Sequence, residues 1–171
     1  TMRTFSEEKK SGTIELLLTY PVRDIEAVLG KFAGCLGIFA IMISFSLPCL
    51  LLVAFFGDPE LGVIITGYVG LLFMGGAFIS LGIFMSTLTE NQVIAAVLSF
   101  AALLLLYMVG YSAGFVGEGT GTALEYISIL SHLDSFAKGV LDTSDIIYYV
   151  LFAVFFLFLS MRTLESKRWR A

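Results

Sequence analysis

The chain has 171 residues, 58% of them apolar and only 14% charged, with a formal net charge of −4 and a mean hydropathy of +0.94. A water-soluble domain carries about a quarter of its residues charged and needs polar cover for its surface, so this composition excludes one. Lipid solvates an apolar exterior, and the chain reads as an all-α transmembrane protein.

The N-terminal segment is charged and broken. Ser6-Glu7-Glu8-Lys9-Lys10 is a helix-like piece, Ser11-Gly12 interrupts it, and Thr13-Ile14-Glu15-Leu16-Leu17-Leu18 makes a short amphipathic turn. Thr13 can cap that turn, with Glu15 placed favourably for the helix dipole. Tyr20-Pro21 ends it, because the residue before proline is pushed out of the helical region. A new helix can start at Pro21, with Val22, Ile25, Leu29 and Phe32 as its apolar face. Residues 1–32 therefore form one unit ahead of the membrane. A short helix between two breaks suits docking on a partner, and a solvated loop face fits the same residues equally well. The chain opens at Thr1 inside a charged stretch, which predicts that an N-terminal piece precedes it.

Four apolar stretches follow, at 33–56, 63–88, 92–114 and 146–161, with no Asp, Lys or Arg inside any of them. Each such residue costs about 2.5–3.5 kcal/mol at a helix centre, and a span needs about 20 apolar residues. The fourth stretch is short, and Asp145 and Arg162 are expected to snorkel at its two ends. Pro48 removes a backbone bond and predicts a kink in the first span. Cys35 and Cys49 lie about 21 Å apart along that helix, too far to pair.

In the second span Gly62, Thr66 and Gly70 follow at four-residue steps, as do Gly76 and Ser80, then Gly82 and Ser86. This spacing lets helix backbones approach closely in lipid, and Gly70, Gly76, Ser80 and Gly82 are the expected close-packing positions. Tight packing within one bundle is the plainer reading, and a subunit contact or substrate path is the other. Residues 115–145 are neither a span nor a plain loop. Leu124, Ile127, Leu130, Phe136, Val140 and Leu141 recur at near-helical steps, predicting short amphipathic helices at the outer membrane face. Asp142-Thr143-Ser144-Asp145 then offers caps for the last span.

Basic residues set the orientation. Arg3, Lys9, Lys10, Arg23 and Lys31 precede the first span, and Arg162, Lys167, Arg168 and Arg170 follow the last, in or beside a basic tail at 165–171. The segment between the third and fourth spans has only Lys138. Positive residues stay inside, so both ends of the chain are expected in the cytoplasm. Tyr107, Tyr111, Tyr148 and Tyr149 are expected at the outer ends and Trp169 at the inner one. The spans offer hydroxyls at Ser44, Ser46, Thr66, Ser80 and Ser99 but no charged group to select a cargo.

Gly110-Tyr111-Ser112-Ala113-Gly114 matches the G-x-S-x-G nucleophile elbow, with His132 and Asp134 downstream. Elbow chemistry needs a strained strand-to-helix turn, whereas this match ends an apolar helix. An intramembrane serine protease using Ser112 and His132 is the alternative reading, and an interfacial or capping role suits His132 better. One histidine and two distant cysteines make no metal cluster, and no G-x-x-x-x-G-K-[ST] phosphate loop is present. No nucleic-acid partner and no catalytic residue is expected, and any ATP must be bound by another polypeptide.

Glu7-Glu8-x-x-Ser11-Gly12-Thr13-x-Glu15-x-Leu17-Leu18, then Pro21-Val22 and Leu29-Gly30-Lys31, resembles the pattern of ABC-2 type transporter permeases. Ser86-Thr87-Leu88-Thr89-Glu90-Asn91-Gln92, residues 131–140 and Leu164-Glu165-Ser166-Lys167-Arg168 resemble the branch associated with gliding motility and copper-enzyme maturation. The resemblance covers essentially the whole chain and implies a helical permease bundle, here with four of the usual six spans. It also implies that Glu7, Glu8, Gly12, Thr13, Ile14, Glu15 and Leu17 couple to a separate ATP-binding subunit, which would hold ATP and magnesium. A second permease copy, lipid contact, a prokaryotic inner membrane and export are implied with it. A membrane scaffold with no transport role is the remaining alternative.

Overall fold

The computed structural model describes residues 24–57, 60–112, 126 and 128–168. All regular structure among them is helical. In chain order the helices are α1 (Asp24–Ser44), α2 (Leu47–Phe56), α3 (Leu61–Leu88), α4 (Gln92–Ser112), α5 (Ile129–Ala137) and α6 (Thr143–Arg168). Four candidate spans, Ile25–Leu50, Leu61–Leu88, Gln92–Ser112 and Thr143–Ser166, are long and apolar enough to cross a membrane.

The first and the fourth depart most from the apolar runs. The first begins at Ile25, not at 33, because the apolar positions Ile25, Leu29 and Phe32 continue into the run without a helix break. It also contains a full interruption. Pro48 has no N–H to give the Ser44 carbonyl, and its ring crowds that oxygen, so α1 stops at Ser44. The chain turns at Phe45-Ser46 and restarts at Leu47, with Pro48 in the first turn of α2, where a missing N–H costs nothing. Cys49 N–H then bonds the Ser46 carbonyl at 3.1 Å. The fourth span runs from Thr143, three residues before its apolar run, which draws Asp145 into the helix.

The described residues fall into two compact units. One gathers residues up to Cys35, Gly76–Leu103 and those from Leu151 onward; the other gathers Leu36–Gly75 and Leu104–Val150. In the first, Val28, Ile83, Leu157 and Leu164 form a buried cluster, with Phe32, Ile79 and Met161 packed on it. Phe84 and Phe156 meet beside it at 5.7 Å between ring centroids. In the second, Gly70 and Thr66 of α3 lie against Phe136 of α5, and Gly75 lies under the Phe39 ring. Half of the apolar window of α3 is buried, against none in the first span, so α3 carries most of the internal packing. Phe55 and Phe56 of α2 are more than four-fifths exposed, as helix faces meeting lipid are.

A methyl group at Gly70 would stand 2.7 Å from Cβ and Cγ of the buried Phe136, atoms too near the backbone to swing away. Gly70→Ala is expected to destabilise the full-length protein in detergent by about 1–3 kcal/mol. Gly67→Ala, where nothing lies within 4 Å, is expected to leave thermal unfolding unchanged.

Candidate functional site

The expected coupling residues Glu7, Glu8, Gly12, Thr13, Ile14, Glu15 and Leu17 lie outside the described residues. Pro48 sits at the α1–α2 interruption. Gly70, Gly76, Ser80 and Gly82 all lie on α3 and are all buried. Gly70 makes the close approach to α5, and Gly75 makes a second one that the four-residue spacing did not single out.

The five span hydroxyls bond to nearby backbone. Ser44 donates to the Ala40 carbonyl, Ser46 to Ile43, Ser80 to Ala77 and Ser99 to Ala95, each within 2.7–2.8 Å. Thr66 reaches Gly62 and Val63 carbonyls of its own turn at 2.9 Å and the Phe136 carbonyl of α5 at 3.1 Å. Hydroxyls satisfied in this way do not act as free donors to a cargo.

The densest polar structure lies where α5 meets α6. Sequence punctuates α5 at both ends. Ser128 caps its start, its side chain accepting the Ser131 N–H. At its end Gly139 adopts φ +83°, and Gly139 and Val140 N–H groups bond the Phe136 and Ser135 carbonyls at 3.1 and 3.0 Å. That left-handed closure favours glycine and satisfies the last carbonyls. Asp145, Tyr148 and Tyr149 share one face of α6 by their spacing and turn it onto α5. Tyr149, 1% exposed, donates to the Ile129 carbonyl at 2.7 Å. Tyr148 stacks on the His132 ring with centroids 4.0 Å apart. His132 Nδ1 lies 2.6 Å from Asp145 Oδ1, and its Nε2 lies 3.2 Å from the Tyr126 carbonyl oxygen.

Asp145 therefore does not snorkel. It is 6% exposed, because His132 offers a nearer partner than water. Tyr149 is likewise buried, packed against α5. The sequence signal was an acid and two tyrosines at i, i+3 and i+4 opening a span, opposite the chain's single histidine.

The serine-protease geometry is not assembled. Gly110 to Ser112 lie in α4, Ser112 donates to the Val109 carbonyl at 2.8 Å, and both ring nitrogens of His132 face other partners. Asp134 lines a separate pocket of about 200 Å³ with Tyr107, Tyr111, Ser128 and Ser131. Its volume is below the roughly 300–1,000 Å³ of drug-sized ligand sites.

Asp142 caps α6. Its Oδ1 accepts the Ser144 N–H at 3.0 Å and the Ser144 hydroxyl at 2.9 Å. These bonds, the backbone one foremost, hold its carboxyl below the usual carboxylate range. A lowered folded value means the cap contributes at neutral pH and is lost only as pH falls through that value. Tyr149→Phe removes a buried donor and is expected to cost about 1 kcal/mol in thermal unfolding. Tyr107→Phe on α4, whose side chain is half exposed, is expected to stay within about 0.5 kcal/mol.

Among the described residues no group of histidine, cysteine and carboxylate side chains could hold a metal ion. Searches of curated proteins and of solved structures give no match. The sequence does match a family model, described as ABC-2 family transporter protein, over residues 1–166. With four candidate spans and a match over nearly its whole length, the chain is a multi-pass membrane protein that belongs to the ABC-2 transporter family.

Proposed function

We propose that the chain is a permease subunit of an ABC exporter, driven by ATP that a separate subunit binds with magnesium and hydrolyses. The family match over residues 1–166 carries this reading, and members of that family work with ATP-binding subunits. The distribution of charge supports it. Ion-coupled transporters commonly place ionisable residues at membrane depth. In the candidate spans such residues stand only near the ends: Glu26 and Lys31 in the first, Asp145, Arg162 and Glu165 in the last. Of these Asp145 is buried and paired with His132, and Arg162 is paired with Glu165 at 3.1 Å. Work then enters from outside the lipid.

Its entry point in this reading is the segment from Glu7 to Leu18, docked in a groove of the ATP-binding subunit on the cytoplasmic side. Nucleotide-driven closure moves that segment, the helix that follows passes the motion to the interrupted first span, and a path opens between two permease copies. The basic residues before the first span and after the last keep both ends of the chain on the cytoplasmic face of a prokaryotic inner membrane. The later motifs favour the gliding-motility and copper-enzyme-maturation branch.

Cysteines placed at Ile14 or Leu17 of the full-length protein are expected to crosslink to the ATP-binding subunit, with a yield that changes with bound nucleotide. Gly12→Pro is expected to abolish transport while leaving expression and insertion intact. Absence of both crosslinks in the native complex overturns the coupling assignment. Normal transport by Gly12→Pro overturns the proposed route of motion.

A further inference from the structure

The end of α4 and the start of α5 enclose a pocket of about 200 Å³ that the proposed transport mechanism does not use. It lies within the compact unit that holds Leu104–Val150. Tyr107 and Tyr111 line it from α4, where their spacing puts both on one face. Ser131 and Asp134 line it from one face of α5. Gly110 sets how closely the two helices come, because a Cβ there would overlap the Ser128 side chain, which is 1% exposed. The width of the pocket is therefore fixed by packing. Asp134 and both tyrosines are exposed, so a guest can reach them.

The lining has the chemistry of a cation site. The Asp134 carboxylate has no hydrogen bond or ion pair among the described residues, and Lys138, one turn further along α5, does not pair with it. The Ser131 hydroxyl has no partner among them either. A solvated carboxylate alone selects nothing. A recess that adds tyrosine rings does, because their faces attract a cation and their carbon surface suits its alkyl groups. An anion would meet the Asp134 charge, and the Ser131 N–H at the start of α5 is already bonded to Ser128. A metal ion needs several ligating side chains, and no such group forms among the described residues. Size narrows the choice further. A cavity of about 150 Å³ accepts benzene, so this one takes a head of similar bulk. Both tyrosines stand near the end of the candidate span Gln92–Ser112, the level at which lipid headgroups lie.

We infer that this pocket binds a small organic ammonium group, with Asp134 as its counter-charge, Tyr107 and Tyr111 as its aromatic walls and Ser131 as a hydrogen-bond partner. An aminolipid headgroup presents that chemistry from the bilayer, and a free amine presents it from water.

The test is binding of radiolabelled choline and of radiolabelled ethanolamine to the purified full-length protein in nanodiscs of phosphatidylglycerol, a lipid without an amine. Saturable binding of at least one is expected. Choline binding is expected to resist displacement by dimethylbutanol, its uncharged isostere. Asp134→Asn is expected to weaken binding about five-fold. Tyr107→Leu is expected to weaken it by about three-fold, whereas Tyr107→Phe keeps it, since the ring meets the cation. Nanodiscs that also contain phosphatidylcholine or phosphatidylethanolamine separate the two sources. A headgroup site loses the soluble amine to the matching lipid, a free-amine site retains it, and either result sustains the proposal. Absence of saturable binding of both amines overturns it, as does an affinity that Asp134→Asn leaves unchanged. Should Asp134→Asn fail to fold, equal affinities in Tyr107→Leu and Tyr107→Phe overturn it instead.

Discussion

In the hydrocarbon of a bilayer no water is present to bond a stray N–H, C=O or hydroxyl, and each one left unpaired costs several kcal/mol. The described structure follows from that constraint. Apart from the turn at Phe45-Ser46, the backbone of the candidate spans is helical. Ser44, Ser46, Thr66, Ser80 and Ser99 bond to carbonyls beside them. Where proline prevents a helix from continuing, the chain turns once and starts again, placing Pro48 where no N–H is needed. Asn91 caps α4 with its side chain on the Val93 N–H at 2.9 Å, and Ser128 and Gly139 close the two ends of α5.

Once polar groups are satisfied locally, helix association in lipid rests on shape and on a few bonds between helices. Both meet at Phe136. Gly70 lets α5 approach α3 until the phenylalanine Cβ touches the glycine, and Thr66 reaches the same residue's carbonyl. From the other side Tyr149, Tyr148 and Asp145 hold Ile129 and His132. A nine-residue helix is too short to stand alone, and it forms here because two spans grip it.

The helical class, the number of spans and the presence of a short amphipathic helix between the last two were legible because each is a matter of composition or period. Asp145 was not. Read along the chain, an acid beside an apolar run is a snorkelling end, and only the fold places His132 within 2.6 Å of it. Gly75 was missed for a similar reason: its partner Phe39 is 36 positions away, and a spacing rule sees only one helix. The interruption before Pro48 was readable as a proline effect, but its position at Phe45-Ser46 comes from the carbonyl four residues back, which a local reading overlooks. The proposed coupling motif, residues 7–18, lies outside the described residues, and the proposal for it starts from resemblance.

The spans thus use their polar groups for their own cohesion, and the ionisable residues near their ends stop short of any relay through the lipid. In the proposed mechanism the driving force comes from a companion that hydrolyses ATP. The most direct measurement uses liposomes holding the purified full-length protein, with and without its ATP-binding subunit. ATP hydrolysis and solute movement that both require the pair, in the absence of any ion gradient, is the predicted result. Solute accumulation by the protein alone, driven by a proton or sodium gradient, would contradict it.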